Sequence, residues 1–251
     1  MVHLPQRCEA LVLRHTNYGE SDIILTLFTA EFGLQKGFAR SARKSRKRFG
    51  AVLEPFTQAV FQWKSGRGDF WFLQDAELID SRFGLRGNFQ RLALASYGVE
   101  LVGLLLEEGE PFQLVYELLC SFLDYLDRGG DELSARLLFE LRLIYMLGYM
   151  PHLLHCSECL KVFDNELIRF DATRGGSLCL DCAGLSSGIN VELGTIGSLS
   201  RSLKVAHQQF AGFSFGQKTL QQSGLILNQV LQQILPREPK SLKFLAQLGP
   251  L

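Results

Sequence analysis

Ile23-Ile24-Leu25-Thr26-Leu27-Phe28-Thr29 decides how the first third of the chain folds. Its β-branched and aromatic content reads as a strand. Upstream, Glu9-Ala10-Leu11-Val12-Leu13-Arg14 is a second strand candidate, and Asn17-Tyr18-Gly19-Glu20-Ser21-Asp22 supplies the turn chemistry between them. Downstream, Phe32-Gly33-Leu34 leads into a third strand near residues 35–39. Glu54-Pro55 then opens Phe56-Thr57-Gln58-Ala59-Val60-Phe61-Gln62-Trp63. A glycine-rich hairpin loop, Lys64-Ser65-Gly66-Arg67-Gly68-Asp69, turns the chain, and Phe70-Trp71-Phe72-Leu73-Gln74-Asp75-Ala76-Glu77 returns. Five short strands in roughly 80 residues fit a small closed barrel, of which the OB-fold is the commonest that binds nucleic acid. An SH3-like barrel fits the same count.

From about Arg82 the period changes. Leu92, Tyr97, Leu101, Leu104 and Leu105 recur at helical spacing. Pro111 suits the first turn of a second helix, which runs to about Asp127 and is broken by Gly129-Gly130-Asp131. A third helix carries Leu137, Leu138, Leu141, Ile144 and Tyr145. Further helices are expected over residues 195–210, 219–235 and 240–248. The expected fold class is therefore α+β. An N-terminal five-stranded OB-like β-barrel (1–80) precedes an α-helical domain (81–251) that carries a four-cysteine zinc module at about 152–186.

That module rests on two tight pairs, Cys156-Ser157-Glu158-Cys159 and Cys179-Leu180-Asp181-Cys182. The 19 residues between them lie within the spacer range of structural zinc sites. Four thiolates fill every position that a structural Zn²⁺ offers and leave none for water or substrate. One structural zinc per chain is the leading reading, with two local disulfides or free thiols as the alternatives. Disulfides need an oxidising compartment, and Met1-Val2-His3-Leu4-Pro5-Gln6 lacks the basic and apolar runs of a signal peptide. His152 and His155 precede the first pair and are read as surface or packing residues. Cys8 and Cys120, isolated in apolar surroundings, are read as buried inert thiols.

The 251 residues include 47% hydrophobic and 21% charged side chains, the balance of a folded soluble protein. Leu101-Val102-Gly103-Leu104-Leu105-Leu106 ends at Glu107-Glu108, far short of a membrane span, so a cytoplasmic protein without membrane contact is expected. Lys+Arg and Asp+Glu balance at 26 each, so the net charge names no partner. The distribution does. Arg40, Arg43, Lys44, Arg46, Lys47 and Arg48 crowd one acid-free segment with the density to follow a phosphate backbone. A solvated loop or a localisation-like tract is the plain alternative. Trp63, Phe70 and Trp71 flank the loop that carries Lys64 and Arg67, a combination that suits stacking of unpaired bases beside cations. Barrel core is the competing assignment for these rings. Strand alternation sets Phe70 and Phe72 on one face and Trp71 on the other. The sequence contains no phosphate-loop, nucleophile-elbow or H-E-x-x-H motif, and no enzyme is expected.

Glu20-Ser21-Asp22-Ile23-Ile24-Leu25-Thr26-Leu27-Phe28-Thr29, then Phe32-Gly33, then Ala39-Arg40-Ser41-Ala42-Arg43-Lys44-Ser45-Arg46-Lys47-Arg48-Phe49-Gly50 and Leu53-Glu54-Pro55-Phe56 resemble the N-terminal region of the bacterial RecO family of DNA repair proteins. The order of barrel, helical domain and cysteine module matches across essentially the whole chain. Ser41 departs from the glycine usual in that family's basic stretch. The resemblance implies a recombination mediator. Such proteins bind single- and double-stranded DNA, anneal complementary strands without ATP, and engage the tail of single-stranded-DNA-binding protein. With RecR, and often RecF, they help load RecA onto coated gaps. Arg40, Arg43, Lys44, Arg46, Lys47 and Arg48 would then bind DNA, joined by Lys64 and Arg67. The tail site is expected in the helical domain, with no residues assigned. A protein-docking adaptor and a zinc-ribbon nucleic-acid-processing enzyme are the alternatives from other classes.

Overall fold

Alternating burial along Asp22–Thr29 places Ile23, Leu25 and Leu27 inward and Ile24 and Thr26 outward, the period of a half-buried strand. A computed structural model describes residues 5–45, 48–65, 70–164, 167–184 and 188–247. The chain divides into two compact units, Met1–Gly129 and Gly130–Leu251.

The first unit opens with five strands: β1 (Gln6–Tyr18), β2 (Asp22–Thr29), β3 (Gly33–Ala39), β4 (Gln58–Ser65) and β5 (Phe70–Asp80). They close into a barrel in the order β1-β2-β3-β5-β4, with β1 also paired to β4. β3 and β5 run parallel, and the remaining pairs are antiparallel. This five-stranded Greek-key closure is OB-like. A register shift between Val12 and Arg14 bends β1, so Leu11, Val12 and Leu13 are buried in succession. Gly37 lies where β3 meets β5, and a Cβ there would stand 2.9 Å from a Leu73 methyl. At Gly33, φ is +63° and a Cβ would collide with the Glu110 carbonyl, so only glycine fits this turn.

The barrel interior settles the aromatic question. Trp63 and Trp71 stack with centroids 3.9 Å apart and planes 1° from parallel, and both belong to the buried core. Phe32 meets both rings edge-on. These tryptophans are therefore packing residues and not a stacking platform. Phe72 takes the outward side, as alternation requires, and Phe70 is half-buried.

Two helices complete the first unit, α1 (Phe89–Leu105) and α2 (Gln113–Asp127). Asn88 caps α1 by accepting from the Gln90 and Arg91 amides. Arg82, 1% exposed, joins barrel and helix. Its Nε donates to Asp124 Oδ1 at 2.7 Å, and its two terminal nitrogens donate to the Phe56 carbonyl at 2.9 Å and to Gln58 Oε1 at 2.7 Å. Asp124 is partly exposed, so the cost of losing Arg82 lies in its charge-assisted hydrogen bonds, worth about 1.5–3 kcal/mol each, above all the buried one to the Phe56 carbonyl. Arg82→Leu is expected to lower unfolding stability by about 3 kcal/mol, since it leaves the Phe56 carbonyl and Gln58 without their donor. Denaturant unfolding followed by Trp63 and Trp71 fluorescence measures it, and a loss under ~1 kcal/mol, the size of a surface pair, would contradict this role.

In the second unit, α3 (Glu132–Met146) begins at Asp131, whose carboxylate accepts from the Ser134 amide. A small sheet follows, with β6 (Ile168–Asp171) central, β7 (Gly176–Leu178) and β8 (Ile189–Val191) beside it, and a one-turn helix α4 (Leu180–Ala183) between them. Helices α5 (Leu193–Ser202), α6 (Gln217–Ile234) and α7 (Lys240–Gln247) end the unit. α5 stops well before the expected residue 210. Phe210 instead turns inward, 2% exposed, beneath the Arg142 guanidinium at 5.1 Å. That contact and a second with Phe213 outweigh continued helix. Burial lowers the Arg142 pKa to about 10, and the group donates to the His207 carbonyl. Among the described residues no helix is long and apolar enough to cross a membrane.

Candidate functional site

The basic segment begins where β3 ends. Ser41 adopts φ 53°, ψ 29°, the left-handed conformation that glycine takes without cost. Asp22 Oδ1 accepts the Ser41 amide at 2.7 Å and holds the serine there. Ala42–Lys44 form one tight helical turn with Ala42 buried and Arg40, Arg43 and Lys44 exposed. The Arg43 amide donates to the Ser21 carbonyl at 3.1 Å, and its guanidinium donates to the Glu20 carbonyl at 3.2 Å. On the far side of the segment, Phe49, Val52 and Leu53 enter the barrel core. The segment is thus pinned at both ends across one end of the barrel.

Arg48 has a different task from its neighbours. Its Nε donates to Ser45 Oγ at 2.9 Å and a terminal nitrogen donates to the Arg40 carbonyl at 2.8 Å. Its guanidinium also lies 5.0 Å from the Phe49 ring centroid. Arg48 therefore braces the segment and presents less free charge than Arg40, Arg43 and Lys44. Lys64 is half-buried on the barrel wall, on β4, opposite Phe72. Arg46, Lys47 and Arg67 lie outside the described residues.

Strand pairing also lines up residues that share no local motif. Thr16 pairs with Ile24, Ile24 with Phe38, Phe38 with Phe72, and Phe72 with Lys64, so one outward row crosses all five strands. Phe38 meets Phe72 at 5.5 Å between centroids and Tyr18 at 6.0 Å, both edge to face. Tyr18 is 57% exposed and Phe72 37%. Alternation from the buried tryptophans was the signal that could have found Phe72. Phe38 and Tyr18 needed the pairing.

The cysteines form a second site. The Sγ atoms of Cys156, Cys159, Cys179 and Cys182 all lie within 4.8 Å of one another. Cys159 and Cys179 are 3.7 Å apart at sulfur. That is too long for a covalent bond, and it matches the ~3.8 Å edge of a tetrahedron with metal–sulfur bonds of about 2.3 Å. The cluster can hold a metal ion. Burial pushes the Cys156 thiol up, but the backbone amides of Cys159, Cys179 and Glu158 outweigh it and bring its pKa to about 6. Hydrogen bonds with the Cys179 and Cys159 sulfurs push the Cys182 thiol up. Leu160, at φ +61°, returns its amide to the Cys156 carbonyl at 3.0 Å and closes the first knuckle. Arg174 ties the two knuckles. It donates to Glu158 Oε1 on the first, and to the Cys182 and Ala183 carbonyls on the second. His152 and His155 bond each other through Nδ1 and Nε2 at 2.6 Å, outside the sulfur cluster. Burial raises both Cys8 and Cys120 to about 11, so neither forms a thiolate at neutral pH.

Comparison with known proteins agrees with this arrangement. The family described as Recombination protein O N terminal matches residues 1–82, and Recombination protein O C terminal matches residues 86–243. The chain belongs to the RecO family. A curated relative from Syntrophotalea carbinolica, named DNA repair protein RecO, is 51% identical over 96% of this chain and 93% of its own. Relatives with the same name from Anaeromyxobacter sp. (36% identical, 96% of each chain) and Geobacter metallireducens (33%, covering 97% of this chain and 98% of its own) extend the likeness across the full length.

Proposed function

We propose that this protein is a DNA-repair recombination mediator. It binds single- and double-stranded DNA, anneals complementary strands without ATP, and helps load RecA onto gaps coated by single-stranded-DNA-binding protein. The observation that carries this reading is the fixed presentation of Arg40, Arg43 and Lys44 at one end of an OB-like barrel, in a chain of the RecO family. Two DNA strands repel along their length. A dense cationic patch lowers that repulsion and raises local strand concentration, so pairing nucleates faster. Base pairing supplies the specificity, and the protein needs no catalytic group. RecR and the tail of single-stranded-DNA-binding protein are its protein partners, with RecF an additional one and RecA served indirectly. Its compartment on this reading is the cytoplasm, at the nucleoid.

Cys156, Cys159, Cys179 and Cys182 hold one structural zinc per chain. The ion cross-links the two knuckles and, with all four positions filled by sulfur, activates no water. DNA binding is the first test. The purified protein should retain a labelled single strand and a duplex of unrelated sequence at low salt. Failure to retain either overturns the reading.

A further inference from the structure

The outer wall of the barrel carries a second kind of binding group beside the charges. Tyr18, Phe38 and Phe72 form one continuous edge-to-face chain of rings over β1, β3 and β5. The barrel core does not need them, since it is filled by the stacked Trp63 and Trp71 and their neighbours. Cations border the row on both sides. Arg40 and Arg43, two and five positions after Phe38, are exposed. Lys64 continues the row past Phe72. In the adjacent row, exposed Arg14 stands across from Thr26, Thr26 from Lys36, and Lys36 from Phe70. Lys36 shares its charge with Glu108 at 2.7 Å, an exposed pair that competes weakly with a phosphate.

Apolar rings on a wall bordered by cations fit one ligand chemistry best, a polyanion with exposed aromatic faces. An unpaired nucleic-acid strand has both. A duplex does not, because its bases already stack on each other and present only edges and phosphates. We infer that Tyr18, Phe38 and Phe72 form a stacking platform for unpaired bases, separate from the basic segment that holds phosphates of either form. This rests on the DNA-binding reading above and assigns single-strand preference to one wall of the barrel. Contact through stacking is tolerant of base identity and insensitive to salt, unlike the counterion-linked contact of the basic segment.

The test compares wild type with a Tyr18→Ala/Phe72→Ala double variant, which trims the two most exposed rings and leaves the half-buried Phe38 in place. The probes are a single-stranded oligonucleotide, its duplex, and an abasic strand with the same phosphate count. Each base stacked on a ring contributes roughly 10-fold in affinity, so the double variant should bind the single strand about 10- to 100-fold more weakly. Its duplex affinity and its salt slope should be unchanged, and wild type should bind the abasic strand as weakly as the variant binds the normal one. A Tyr18→Phe/Phe72→Trp variant keeps both rings and should restore binding, which separates stacking from a folding defect. If wild type binds DNA but the alanine variant binds the single strand equally well, the platform is overturned and the function stands. Equal losses on single strand and duplex also overturn it. If wild type binds no DNA at low salt, both readings fall.

Discussion

Replacing Arg40, Arg43, Lys44 and Lys64 together by glutamine is expected to weaken DNA binding about 1,000-fold near 0.1 M salt, and by the same factor for every sequence. The reasoning is counterion release. Each phosphate neutralised contributes about −0.9 to the slope of log K against log salt on a duplex and about −0.7 on a single strand. Four lost contacts should flatten those slopes by ~3.6 and ~2.8 respectively. Arg48 is left in place because its guanidinium holds the Arg40 carbonyl and the Ser45 hydroxyl, and its loss would disorganise the segment instead of merely discharging it. Arg40 and Lys44 are exposed, and Arg43 makes one side-chain bond to a carbonyl, so the fold should survive the change. Salt titrations of a labelled single strand and a duplex read the result. An unchanged slope would show that these cations do not meet phosphates.

Removing the proposed zinc should have an effect as large, on stability. Binding of structural zinc to four thiolates is worth about 10–16 kcal/mol at neutral pH, and in small modules that energy is folding energy. The module has little else. Its strands are three or four residues long, and its buried apolar side chains among the described residues, cysteines aside, are few: Leu153, Phe163, Ile168, Phe170, Leu178, Ala183 and Val191. Purified protein should carry about one zinc per chain. Cys156→Ser or Cys182→Ser should reduce this below ~0.2 per chain, and a strong chelator should make all four thiols reactive as the knuckles open. Cys8 and Cys120, buried and with raised pKa, should stay protected in the folded first unit and serve as internal controls. Metal-free protein that unfolds at the same denaturant concentration as the zinc-loaded form would contradict a structural role.

Much of this architecture was legible in the chain because its signals are local. Runs of β-branched and aromatic residues bounded by turn residues marked all five barrel strands, and Gly129-Gly130-Asp131 marked a helix break that Asp131 turns into a cap. Two tight cysteine pairs announced the sulfur cluster. What escaped reading depends on pairing between distant residues. The sheet of the cysteine module uses strands too short to carry a period. Residues 203–210 look helical until Arg142 draws Phe210 beneath it. Ser41 keeps a left-handed turn that suits glycine because Asp22, nineteen positions earlier, accepts its amide. The ring row was the largest gap. Trp63 and Trp71 are the more conspicuous aromatics in the sequence, and only closure of the barrel turns them inward and aligns Phe38 with Phe72. Arg82 is a similar case, one arginine whose three partners come from Phe56, Gln58 and Asp124.

The most direct measurement is the rate at which complementary strands, each coated with single-stranded-DNA-binding protein, anneal without ATP. The account predicts that this protein accelerates duplex formation well above the uncatalysed rate. It also predicts that the four-glutamine variant loses the acceleration. No acceleration by wild type, under conditions where it binds both strands, would contradict the mediator reading and leave only a nucleic-acid-binding barrel.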